Sequence, residues 1–120
     1  MDFNKLREAA SGWINAWNSG DMKSLLDHYA EDVVFYSSAA TRRWNTPNGK
    51  ITGKKALENH FRKAFEEFPG MKLTFKNLLL GTDSVLLIYL RETGNMVADF
   101  VLFDGDGRVK EVRVFNESHG

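Results

Sequence analysis

Apolar side chains recur three and four residues apart at Phe3, Leu6, Ala9, Ala10, Trp13, Ile14 and Trp17, which predicts an amphipathic first helix. The run "NSGD" then stops it, with Gly20 at a natural left-handed C-terminal position and Asp21 placed to cap a second helix from Met22 to about Tyr29. That helix offers Leu25, Leu26 and Tyr29 on one face, and "AEDVVFYSS" changes the period from helix to strand. The stretch "AATRRWNTPNGKITG" carries proline, glycine and asparagine and reads as a loop or irregular hairpin. From Lys54 to Phe68, the residues Ala56, Leu57, Phe61, Ala64, Phe65 and Phe68 form a third helical stripe, closed by "PG".

Beyond Pro69 the pattern is extended. The runs "MKLTFKNLLL", "SVLLIYLRET", "NMVADFVLFD" and "RVKEVRVFN" are separated by short turn signals, as in an antiparallel meander. In the second run Val85, Leu87 and Tyr89 lie on one side and Leu86, Ile88 and Leu90 on the other, so neither side is patterned for water. This predicts a sheet covered by helices on one face and by a further layer or a second copy of the chain on the other.

Composition narrows the function classes. The chain of 120 residues has the length of one globular domain, 1–120, with enough apolar content for a substantial core. Sixteen basic residues balance sixteen acidic ones, so no electrostatic excess points to nucleic acid or an anionic membrane surface. Absence of cysteine removes disulfides, thiol nucleophiles and thiolate metal sites, and fits a cytoplasmic protein. The N-terminus lacks a signal-like apolar core and no run is long enough to span a membrane, so a soluble, unprocessed protein is expected. The histidines at 28, 60 and 119 are not paired on one element, and "GDGR" joins two strands without opening a helix. Neither a zinc triad nor a phosphate loop is expected, and no cofactor is implied.

The order helix, helix, strand, helix, four strands, with "AWNSGD", "YAEDVVF", "ITGKKAL" and "FDGDGRV" in sequence, resembles the SnoaL-like and ketosteroid-isomerase-like members of the nuclear-transport-factor-2-like superfamily. The resemblance covers nearly the whole chain. It implies an α+β fold, a cone-shaped roll with three N-terminal helices packed on the concave face of a curved, mostly antiparallel sheet. Family members include isomerases, aldol-type cyclases, dehydratases, epoxide hydrolases and non-catalytic binding domains, so the fold does not choose the activity.

Candidate site residues follow from both sources. The resemblance places the first helix across the open end of the cone, where Trp13 and Trp17, one turn apart, would wall a cavity; the alternative is ordinary core packing. It sets Trp13 at the position of the isomerase's oxyanion-binding tyrosine and Ser37 at that of its catalytic aspartate. Indole donates one hydrogen bond but is no useful acid, and a lone serine is a poor base. Steroid double-bond isomerisation is therefore not expected. Among the isomerase's catalytic and oxyanion-hole positions Asp99 matches, standing where the isomerase has its second oxyanion-hole residue. Its own surroundings agree, because mid-strand alternation puts Asp99 on one side with Val97, Val101 and Phe103, where a charged carboxylate is costly. The competing structural role is a salt bridge to Arg91 or Arg113. Tyr29 matches a pocket tyrosine of the isomerase and Phe61 sits where it carries a supporting tyrosine; His60 interrupts the apolar face of the third helix, with a satisfied core or rim histidine as its alternative role, and Asn116 shares parity with Val112 and Val114.

Three function classes remain: a cofactor-independent isomerase, cyclase or lyase using Asp99 on a small hydrophobic molecule; a non-catalytic binding module using the same aromatic cavity; and a dimerising domain with a vestigial pocket. The expected partners are a small apolar or aromatic molecule and, through the outer sheet face, a second copy of the chain.

Overall fold

The computed structural model describes residues 2–118. Helix α1, Phe3–Ser19, begins where the Asp2 carboxylate accepts the Lys5 amide and ends where Gly20 turns left-handed at φ 69°. Its inner face buries Leu6, Ala10, Ile14, Ala16 and Trp17. Helix α2 is shorter than its apolar pattern suggests, Met22–Leu26, capped by Asp21. Tyr29 consequently belongs to strand β1, Tyr29–Tyr36, and not to the helix.

The segment expected as a loop or irregular hairpin is helical in its first half, which corrects that expectation and gives four α-helices among the described residues where three are expected. Helix α3, Ser38–Trp44, starts because Ser37 leaves the strand and its hydroxyl accepts the Ala39 amide at 3.2 Å. It stops at Asn45, which takes the left-handed conformation at φ 54°. A single 3-10 turn, Pro47–Gly49, leads into strand β2, Lys50–Thr52. Gly49 is obligatory there: with φ 64°, a side chain would also place Cβ 2.1 Å from the Ser37 carbonyl oxygen. Helix α4, Lys54–Glu67, buries Leu57, His60, Phe61 and Ala64.

Strands β3, Thr74–Leu80; β4, Ser84–Leu90; β5, Met96–Phe103; and β6, Val109–Asn116, form the expected antiparallel meander. The six-stranded sheet has the order β2-β1-β6-β5-β4-β3, with β1 parallel to β6 and the other pairs antiparallel. On β4 the inward residues Val85, Leu87 and Tyr89 are buried, whereas Leu86, on the other side, is 37 % exposed. The helices thus cover one face of the sheet and leave apolar residues on the other. No helix among the described residues is long and apolar enough to cross a membrane.

Candidate functional site

The helix-covered face encloses a cavity of about 560 Å³. Trp13 and Trp17 enter its wall from α1, Ser37 from the end of β1, His60 and Phe61 from α4, Asp99 from β5 and Asn116 from β6. Seven of the eight nominated residues therefore share one cavity. Tyr29 lies deeper, beside a smaller cavity of about 30 Å³ at the apolar end of the core. Trp13 and Asp99 border both spaces.

The aromatic wall is continuous. The Trp13 and Trp17 rings stack with centroids 6.1 Å apart, and Trp17 meets Phe61 edge-on at 4.9 Å. Their polar edges are already engaged: Trp13 Nε1 donates to the Tyr29 hydroxyl, and Trp17 Nε1 points at the Met71 sulfur at 3.0 Å. These tryptophans present ring faces, with their N–H groups committed to the protein.

Asp99 is 2 % exposed and lies within the sheet register opposite Leu87 on β4 and Val114 on β6. Its carboxyl oxygens stand 3.2 and 3.3 Å from the Tyr89 hydroxyl, the one side chain that hydrogen-bonds it among the described residues. Both arginines considered as salt-bridge partners turn elsewhere. Arg91 pairs with Glu92, and Arg113 pairs with Glu111 while lying over the Tyr36 ring. Desolvation consequently dominates and pushes the Asp99 carboxyl up to about 7, against a smaller opposing effect of the Tyr89 hydrogen bond. Burial and the neighbouring carboxylate likewise push the Tyr89 phenol well above its ordinary value.

The polar groups near the mouth converge on His60. Its Nδ1 lies 3.1 Å from both Trp44 Nε1 and Arg43 Nη1, and Arg43 also forms a two-pronged pair with Glu67 at 3.0 and 2.9 Å. Burial, with Arg43 adding to it, pushes the imidazole down to about 4, so the ring is neutral at physiological pH. The Ser37 hydroxyl caps α3 by accepting the Ala39 amide, and the Asn116 amide donates to Ser38 Oγ at 3.3 Å. The sequence offers Trp44, beside Arg42 and Arg43, as a lid ring or a loop anchor over the mouth; the structure places Trp44 at the end of α3 with its N–H on His60. Tyr89 is not singled out as a site residue from the sequence, although its parity with Val85 and Leu87 marks it as inward-facing. Among the described residues no group of three histidine or carboxylate side chains could hold a metal ion; His119 lies outside them.

Residues 10–115 match the SnoaL-like domain family, and the chain belongs to that family. None of the curated proteins compared matches it significantly. A SnoaL-like protein of unknown function from Burkholderia thailandensis superimposes with a TM-score of 0.92 at 24 % identity, over 98 % of this chain and 99 % of the other. IdmH, a candidate polyketide cyclase from Streptomyces antibioticus, gives 0.79 at 19 % identity, covering 92 % and 91 %. Bal32a, from a soil-derived mobile gene cassette, gives 0.81 at 22 %, covering 96 % and 91 %. At these identities the likeness is one of fold, and the chemistry must be sought in the side chains.

Proposed function

We propose that this SnoaL-like protein is a cofactor-independent enzyme of the isomerase, cyclase or lyase type, acting on a small cyclic carbonyl compound held against the tryptophan wall. The observation that carries this reading is Asp99: a carboxyl enclosed by apolar strands, bonded to a neutral phenol, without a cation to hold it ionised. Such a group spends much of its time protonated near neutrality and can donate to a substrate carbonyl. Polarising the carbonyl acidifies the adjacent C–H; its proton leaves to water as the enol forms, the carbonyl oxygen taking the Asp99 proton, and reversal returns both. The resemblance of fold to a candidate polyketide cyclase is compatible with this chemistry.

A binding role without turnover is the second reading, favoured by His60, whose acceptor nitrogen Nδ1 is taken up by Trp44 and Arg43, and by Ser37, a weakly basic hydroxyl that caps α3, which leave no evident base beside Asp99. Either way the exposed outer face of the sheet is read as the contact for a second copy of the chain. The deciding experiment follows α-proton exchange of 1-tetralone in heavy water. The wild-type protein should accelerate exchange and saturate with ketone, while Asp99→Asn should bind the ketone and lose the acceleration. Binding without acceleration by the wild type leaves the binding reading, and no binding removes both.

A further inference from the structure

The hydrogen bonds around His60 settle where its proton resides. Indole and guanidinium nitrogens only donate, yet Trp44 Nε1 and Arg43 Nη1 both lie 3.1 Å from Nδ1. Nδ1 must therefore be the acceptor, and in a neutral ring the proton is on Nε2. The imidazole is only 4 % exposed, and Phe35 and Phe61 flank it with centroids at 5.6 and 6.1 Å. Nε2 makes no hydrogen bond to a described residue. It is not sealed inside protein either: among the described residues Thr46 Oγ1 is the enclosed side-chain nitrogen or oxygen that lacks a partner. The space left for Nε2–H is the cavity whose wall His60 forms.

We propose that His60 is a specificity-determining donor: its Nε2–H, aimed by Trp44 and Arg43, binds a second oxygen acceptor on the ligand. This rests on the carbonyl-binding reading above and refines its substrate class. A ligand with one oxygen at Asp99 and another at His60 is a ring compound carrying two carbonyl or equivalent oxygen acceptors. A monofunctional ketone leaves a nearly buried N–H without a partner, and unmet polar groups are a strong basis for rejection. Trp44 and Arg43 act as positioning residues. Because both sit on α3, the helix that closes over this side of the cavity also determines which imidazole nitrogen faces the ligand.

Two measurements test this. Long-range nitrogen-15 correlation spectra of the wild-type protein near pH 7 should show His60 protonated at Nε2 and unprotonated at Nδ1; the opposite tautomer, or a doubly protonated ring, overturns the proposal. Binding is then compared for 1-tetralone, with one carbonyl, and 1,4-naphthoquinone, with two; the chain has no cysteine for the quinone to alkylate. The quinone should bind about tenfold more tightly, the worth of roughly one hydrogen bond. His60→Phe should bring the ratio close to unity, and His60→Gln, whose amide N–H falls near the place of Nε2, should restore most of it. Should His60→Phe not fold, His60→Gln against His60→Asn carries the same comparison, since the asparagine amide reaches only the Nδ1 position. A ratio near unity in the wild type, or one that survives loss of the donor, overturns the proposal while tetralone binding leaves the pocket reading standing. Failure of both probes to saturate overturns the two together.

Discussion

The Tyr89 hydroxyl straddles the two carboxyl oxygens of Asp99, 3.2 Å from one and 3.3 Å from the other, across the β4–β5 hairpin. Among the described residues it is the single side-chain interaction that favours the ionised carboxylate, and it opposes a larger desolvation effect. Tyr89→Phe should therefore raise the Asp99 pKa above that of the wild type, and cost about 1 kcal/mol of stability for the lost hydrogen bond. Carboxyl titration by carbon-detected NMR reads the shift; an unchanged or lower value would mean that Tyr89 does not control the ionisation of Asp99.

The tryptophan wall can be tested by its light emission. Trp44, 39 % exposed, contributes a separate signal, so a Trp44→Phe background isolates Trp13 and Trp17. In that background 1-tetralone should quench or shift the emission saturably, and Trp17→Ala should remove most of the response. Trp17 packs against Phe61 and Phe65, so truncating it should also destabilise the fold by about 3–5 kcal/mol. Loss of stability with no ligand response in the parent protein would assign the pair to the core alone.

Much of the architecture was legible because its determinants are local. Gly20 and Asp21 end one helix and start the next through their own backbone and side-chain preferences, and the alternation around Asp99 announces which way that residue faces. Helix α3 was not legible in the same way. Ser37 ends an apolar strand, Pro47 and Gly49 follow close behind, and these breakers outweighed a serine cap followed by two alanines and two arginines. The loss propagated to the site, since the Trp44 and Arg43 contacts to His60 exist only once α3 stands beside α4. Tyr89 was hidden for another reason. Its meeting with Asp99 depends on the register of the hairpin that pairs Tyr89 with Val97 and Leu87 with Asp99, which alternation alone does not determine.

The outer sheet face makes a prediction about assembly. Leu79 pairs with Leu86 in the ladder, Leu90 with Met96 and Ala98 with Phe115, so these side chains occupy the face opposite the helices. Leu79, Leu86, Met96 and Phe115 are 49, 37, 47 and 56 % exposed, an apolar surface suited to burial against a two-fold copy of itself. Phe115→Asp places two charges near each other across such a contact and should weaken the dimer by at least about tenfold in sedimentation. A wild-type monomer at micromolar concentration would remove the dimer from consideration.

The pH dependence of stability isolates Asp99. Its carboxyl is held near 7 in the folded chain against an ordinary value of 3.8, so between these values the native state retains a proton that the unfolded chain has released. Below about 3.8 both states are protonated and the site imposes no penalty. As pH rises towards 7 the unfolded state gains progressively, and above 7 the loss levels off, at roughly 4 kcal/mol for a shift of this size. Other carboxylates impose their own, opposite trends at low pH, so the informative quantity is wild type minus Asp99→Asn at each pH. That difference should move against the wild type from pH 4 to 7 and flatten beyond it, as measured by urea unfolding. A difference that is flat throughout would show that Asp99 keeps its ordinary ionisation, and a difference of opposite sign would place a cation beside it. Either result would take away the proton that the proposed chemistry requires.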